Sequence, residues 1–191
     1  MLNSILLLNK MKKEFMQKVK IPEGIDVEVS NSDKIVVRGP QGESFKEFKI
    51  DNLIFEKKDG EVIIGSKKAT KNEKKMINTI KAHVQNMIKG AQDKFEYKLK
   101  ICYNHFPFTV EIKGNEALVK NFLGEKIPRK VKLPSGVDIK IDKEIITVRS
   151  HDKELAGQAA ANFETATKIR LRDRRVFQDG LFIISKNGKE I

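Results

Sequence analysis

The chain has one cysteine, no tryptophan, two tyrosines, three histidines and five prolines among 191 residues. Each scarcity excludes something. With Cys102 alone, neither an intrachain disulfide nor a cysteine-based metal site is available, which fits a reducing compartment. His83, His105 and His151 share no spacing that would make a metal set, and Cys102 has no adjacent histidine to activate it. There is no glycine-rich phosphate loop, Walker lysine or dinucleotide fingerprint. Asp138 and Asp142 share one strand face, but Asp26 repeats the pattern earlier, so a duplicated strand surface explains the pair better than catalysis. No apolar run reaches membrane-spanning length. Ile5-Leu6-Leu7-Leu8 is too short for the core of a secretory signal, lacks a preceding basic residue, and leaves Met11 as a candidate start. These absences point away from an enzyme, a cofactor or metal carrier, and a membrane protein. They predict a soluble intracellular chain with no small-molecule substrate.

Positive charge is what the chain has in excess. Thirty-eight lysines and arginines face 26 acidic residues, a net charge of +12, and both halves are basic. Such a balance favours a polyanionic partner, with nucleic acid ahead of an anionic membrane surface. Two stretches concentrate the charge. Lys67 to Lys75 holds five lysines and one glutamate and reads as the solvated start of a helix. Lys168, Arg170, Arg172, Arg174 and Arg175 stand against Asp173 alone. This second stretch is rich in arginine, whose planar fork grips phosphate in two places. Arg170, Arg172 and Arg174 alternate, so an extended segment would aim all three one way. Arg129 and Lys130 come near them if the neighbouring hairpin packs beside the last strand, and Lys126 lies in the same linker. With few aromatics among these charges, recognition of a folded RNA by shape and backbone is expected rather than base stacking.

The chain is organised around a pattern written twice. Val19-Lys20-Ile21-Pro22-Glu23-Gly24-Ile25-Asp26-Val27-Glu28-Val29 is followed by Ile35–Arg38. Val131-Lys132-Leu133-Pro134-Ser135-Gly136-Val137-Asp138-Ile139-Lys140-Ile141 is followed by Ile146–Arg149. A Pro-x-Gly turn opens each copy. The strict alternation after it predicts a strand that buries Ile25 and Val27, or Val137 and Ile139, and exposes the intervening aspartates. Further strands are expected over Ser44–Ile50, Leu53–Phe55 and Val62–Ile64, the last two joined at Lys57-Lys58-Asp59-Gly60.

A capping box of Thr70 and Glu73 should start the first helix, with Met76, Ile77, Ile80, Val84, Met87 and Ile88 inside and Gly90 as the stop. In the second half, Tyr97, Leu99, Ile101 and Tyr103 alternate inward, as do Phe108, Val110 and Ile112. Asp152 should cap a helix carrying Leu155, Ala159, Phe163 and Ala166, before a last strand at Leu181–Ile184. The reading is α+β, with two duplicated domains at 16–93 and 94–191. Each is an antiparallel sheet packed by one main helix, and the arginine-rich stretch favoured as the phosphate-binding surface lies in the second.

Beyond the Pro-x-Gly pair, three motifs carry a family resemblance. They are Ala82-His83-Val84-Gln85-Asn86-Met87-Ile88-Lys89-Gly90, Asn121-Phe122-Leu123-Gly124-Glu125-Lys126 and Phe177-Gln178-Asp179-Gly180. From about Lys18 to Lys186 the sequence resembles the family of the sixth-numbered protein of the bacterial large ribosomal subunit, numbered nine in eukaryotes. It looks like the eukaryotic cytosolic branch. The resemblance implies a non-catalytic protein of two related domains that binds large-subunit rRNA near the stalk base and the sarcin–ricin loop, where translational GTPases dock. It implies neighbouring large-subunit proteins as partners and residence on cytoplasmic ribosomes, with a transient nucleolar stage during assembly. Family RNA contacts carried onto this sequence fall on Arg170, Arg172, Arg174, Arg175 and the Asp179-Gly180 turn. One departure is Lys67-Lys68-Ala69-Thr70, where eukaryotic relatives often carry aromatics. Two other readings stand beside this one. One is a free RNA-binding assembly factor that does not stay on the particle; the other is an RNA-acting enzyme, which the scattered histidines disfavour.

Overall fold

The computed structural model describes residues 13–30, 34–48, 53–58 and 60–191. The Ile5–Leu8 run, Met11, Asp59 of the hairpin turn and the end of the strand expected to reach Ile50 lie outside the described residues. Two compact units divide the chain, Met1–Asp93 and Lys94–Ile191.

The first unit holds β1 (Lys13–Lys20), β2 (Asp26–Ser30), β3 (Lys34–Gly39), β4 (Gly42–Glu47), β5 (Ile54–Lys58), β6 (Glu61–Ala69) and α1 (Lys71–Gln92). The second holds β7 (Phe95–Cys102), β8 (Thr109–Lys113), β9 (Glu116–Lys120), a 3-10 turn (Phe122–Gly124), β10 (Arg129–Lys132), β11 (Asp138–Asp142) and β12 (Ile145–Ser150). It is completed by α2 (Lys153–Ala166), β13 (Gly180–Lys186) and β14 (Lys189–Glu190). All strand pairing among the described residues is antiparallel, so the architecture is α+β as expected. Each unit has two sheets rather than one: β1-β6-β5 and β2-β3-β4 in the first, β10-β9-β8 and β11-β12-β7-β13-β14 in the second.

Strand pairing sets the register of the duplication. The order β2-β3-β4 matches β8-β9-β10, and β1-β6-β5 matches β7-β12-β11, each set followed by its helix. The two Pro-x-Gly turns therefore occupy different stations. The first joins β1 to β2, whereas the second joins β10 to β11, the counterparts of β4 and β5. Both turns lead into an edge strand of a hairpin, so the same local requirements produced similar sequences at non-equivalent places. Beyond the shared plan, the second unit adds β13 along β7 and β14 along the end of β13.

Burial follows the same logic. Val27 on β2 is fully buried, but Ile139 on the edge strand β11 is only half-buried, as are Ile25 and Val137, which lie just before β2 and β11. Their inner neighbours Ile35, Val37, Ile146 and Val148 carry the core. Asp26, Glu28, Asp138 and Lys140 are exposed, in line with the alternation. Replacing Ile139 with alanine should cost about 1–2 kcal/mol, below the roughly 2–5 kcal/mol typical of an enclosed isoleucine such as Ile146. Urea unfolding of the two variants checks the order, and equal losses would refute the edge argument.

Glu73 accepts from the Thr70 backbone N–H, so α1 starts at the expected box. Its buried stripe is Ile77, Ile80, Val84, Ile88 and Ala91; Met76, a residue off that line, is 41% exposed. The helix passes through Gly90 to Gln92. Tertiary packing overrides the glycine stop there: the Ala91 carbonyl accepts from Gln41 N at 3.2 Å, and a Cβ on Gly39 would stand 2.7 Å from that oxygen. In the second unit Asp152 caps α2 by accepting from Glu154 N at 2.8 Å. Ala156, Ala159, Ala160 and Phe163 are buried, the alanines letting α2 lie close on the sheet. β7 ends at Cys102, which leaves Tyr103 exposed with its ring against Phe108 at 6.4 Å. Ile112, near the end of β8, is also exposed.

Candidate nucleic-acid interface

The arginine-rich stretch belongs to the connection from α2 to β13, the part of the second unit with no counterpart in the first. Its two ends are pinned by buried polar groups. Thr167 Oγ1 donates to the Phe163 carbonyl at 3.3 Å and accepts from Leu181 N at 2.9 Å, tying the helix end to the start of β13. Asp179 is 2% exposed, and its Oδ1 accepts from Asn104 N at 2.8 Å and His105 N at 3.0 Å. Its Oδ2 lies 2.7 Å from His105 Nδ1. Burial alone would push the Asp179 carboxyl up, but the His105 and Asn104 amides and the His105 ring outweigh it and hold the carboxyl below its ordinary value. The His105 ring stacks on Phe177 with centroids 4.6 Å apart, and the Arg172 guanidinium lies 4.7 Å from the Phe177 centroid.

Between these anchors the chain does not form a strand. Leu171 adopts φ +57°, a left-handed conformation uncommon for a bulky residue. Asp173 then accepts from Arg175 N at 2.9 Å and closes a turn. The expected alternation is therefore replaced by two separate aims. Lys168, Arg170 and Arg172 converge on a groove of about 430 Å³ at the C-terminal end of α2. Arg174 lines a larger cleft of about 740 Å³, together with Lys168. Arg175 points elsewhere, bonded to Asp173, whose carboxyl its side chain holds below the ordinary range.

Arg129 also reaches the groove, by a route other than the expected one. Its strand β10 lies in the three-stranded sheet, apart from β13. The side chain meets the end of α2 by donating from Nη1 to the Ala166 carbonyl at 2.8 Å. Its Nε donates to Glu125 Oε2 at 2.8 Å and its Nη2 to Glu125 Oε1, and its guanidinium carbon lies 4.4 Å from the Phe122 ring centroid. The hydrogen-bonded Arg129 fork lowers the Glu125 carboxyl against the cost of burial, with the fields of Arg129 and Arg172 assisting. Arg129 thus braces the groove wall. Lys130 alternates to the other face of β10, 4.0 Å from Glu116, and Lys126 is exposed in the preceding loop. Gly180 lines the cleft.

Nothing in the sequence paired Asp179 with His105, 74 positions away, or placed Phe177 between His105 and Arg172. The Phe177-Gln178-Asp179-Gly180 motif was the only trace of that packing. In the first unit Lys71 and Lys75 are exposed, and Lys74 lies 5.6 Å from the Phe15 ring centroid. Among the described residues no three metal-ligating side chains cluster, and no helix is long and apolar enough to cross a membrane.

Two related α+β units, the second carrying a braced basic groove, define the class of the protein as a duplicated α+β fold with a cationic surface. The sequence profile of the family described as Ribosomal protein L6 matches residues 21–94 and again 106–180. The chain belongs to that family, whose members are structural components of the ribosome and not enzymes. The matched stretches span β2 to α1 and β8 to α2, the same correspondence that strand pairing gives. Among curated relatives it is 42% identical to the large ribosomal subunit protein uL6 of Methanococcus vannielii over 173 residues, covering 91% of this chain and 94% of the relative. It is 40% identical to uL6 of Methanobrevibacter smithii, covering 89% and 95%. Against uL6 of Methanothrix thermoacetophila the identity is 37%, covering 92% and 99%. The expected eukaryotic-type branch is consistent with these archaeal relatives.

Proposed function

We propose that the chain is a structural constituent of the large ribosomal subunit and binds large-subunit rRNA through the connection from α2 to β13. The observation that carries the reading is the convergence of Lys168, Arg170 and Arg172 on one groove whose only carboxylate, Glu125, is already bound by Arg129. An uncompensated basic groove of this kind is suited to backbone phosphates. Arg174 and the Asp173-bound Arg175 extend the surface, Arg175 by exchanging its carboxylate for a phosphate. Arg129 acts as a positioning residue, the Gly180 turn holds the loop base, and Lys126 and Lys130 lie at the periphery. The unit at 94–191 is the main RNA-binding domain.

The family resemblance supports a finer placement near the stalk base and the sarcin–ricin loop, beside the docking site of translational GTPases and among neighbouring large-subunit proteins. It also supports cytoplasmic ribosomes as the working location, reached through the nucleolus where the cell has one. No cofactor is required. Sedimentation tests the reading: the chain should stay with large subunits at one copy per particle through a moderate salt wash. Release by that wash, with the chain found only on precursor particles, would instead identify a free assembly factor.

A further inference from the structure

We infer that the cleft beside the basic groove receives a single unpaired nucleotide of the bound RNA, with the Phe182 ring as its stacking surface. This rests on the RNA-binding reading and extends it by naming what enters the protein. The cleft, of about 740 Å³, lies within the roughly 300–1,000 Å³ typical of ligand pockets. Its walls are apolar at Ile169, Phe177, Leu181 and Phe182 and cationic at Lys168 and Arg174; the two carboxylates that also line it are bound by the protein's own donors, Glu164 by Ile183 N at 3.0 Å and Asp179 by Asn104 N and His105 N.

Phe182 is 46% exposed on a part of β13 that pairs with β7 alone, since β14 meets β13 only at Ser185 and Lys186. Gly180 gives that ring its position: a Cβ there would stand 3.2 Å and 3.3 Å from two ring carbons, so the absent side chain lets the ring lie close against the backbone. Phe177, on the cleft's other aromatic wall, is held by its stack with His105.

The occupant follows from how cleft and groove are joined. Thr165, Lys168 and Ile169 line both. A strand laid with its phosphates in the groove therefore has an apolar, aromatic recess beside it, where one base can turn in. A base is flat and apolar on its faces and carries its own phosphate, matching a recess flanked by cations. A paired base cannot enter, so the nucleotide is one from a loop, bulge or extruded position. The arrangement also amends the expectation of recognition by shape and backbone, because Phe177 and Phe182 line one cleft with Lys168 and Arg174.

The test uses the full chain and deproteinised large-subunit rRNA from the same source. Affinity is measured over a salt series, with photocrosslinking and mass spectrometry of the crosslinked peptide. Phe182→Ala should weaken binding by about 5- to 150-fold, the range for losing one stacked base, while leaving the salt slope unchanged. Phe182→Leu, which keeps apolar bulk without a π-face, should fall with it, and Phe182→Tyr should bind as the parent does. The parent should crosslink a nucleotide within residues 180–186. If Phe182→Ala disturbs folding, as a thermal melt would reveal, Phe182→Leu decides. Parental affinity in the leucine variant with a steep salt slope would overturn the nucleotide cleft and leave the phosphate surface standing. An absence of salt-dependent binding by the parent would overturn both.

Discussion

Changing Lys168, Arg170, Arg172 and Arg174 together to alanine should flatten the log–log salt dependence of rRNA binding by about three to four units. Each neutralised phosphate releases counterions and contributes roughly −0.9 to the slope on duplex DNA and about −0.7 on single strands. Four side chains at the groove and cleft therefore account for a change of that size. All four are exposed, so the variant should melt close to the parent, since exposed charges contribute little to folding. Changing Lys71, Lys74 and Lys75 should flatten the slope less, because Lys74 rests over Phe15 and the other two have the character of a solvated helix start. Filter binding across a salt series, with melts alongside, provides the comparison. An unchanged slope in the first variant would remove this connection from the RNA-facing surface, and a reversed order would move the principal contact to the first unit.

Replacing Asp179 with alanine should cost about 3–5 kcal/mol, the range for leaving buried partners of a charged group unpaired. Two amides and the His105 ring lose their acceptor at once. RNA affinity should fall with stability, since Asp179 anchors the C-terminal end of the basic connection. Asp179→Asn keeps one acceptor oxygen and should cost less.

The pH dependence carries a definite sign. The Asp179 carboxyl titrates below its ordinary value in the folded protein, so its contribution is present above the unfolded value of roughly 3.9 and is lost as pH falls through the lower folded value. Below about pH 4 the parent should therefore lose stability more steeply than Asp179→Asn. Chemical denaturation at a series of acid pH values measures both curves, and parallel curves would show that the aspartate is not held as a buried anion.

The elements that depend on neighbours in sequence were legible there. Alternation located the paired strands because side-chain direction along a strand is a local property. Asp152 and the Thr70–Glu73 box located both helix starts because a cap needs only a few consecutive residues. The same locality misled where two distant parts meet. The Pro-x-Gly turns looked like equivalent stations of a repeat, yet they join different strand pairs, because a turn records the strand it enters and not that strand's partner. Gly90 looked like a helix stop until the close approach of Gly39 and the hydrogen bond from Gln41 N fixed the last turn.

By itself, then, the sequence determined the charge, the α+β plan of two related units, the family motifs and the concentration of arginine between α2 and β13. Which cations stand side by side was decided by the tertiary structure. A left-handed Leu171 broke the alternation, and Arg129 was drawn from a different sheet to the end of α2. Asp179 reached 74 residues back to His105, and through His105 it set Phe177 under Arg172. The physical reason is that a surface site depends on where side-chain ends converge. Buried hydrogen bonds and ring contacts across long sequence separations set that convergence, and no local pattern encodes them.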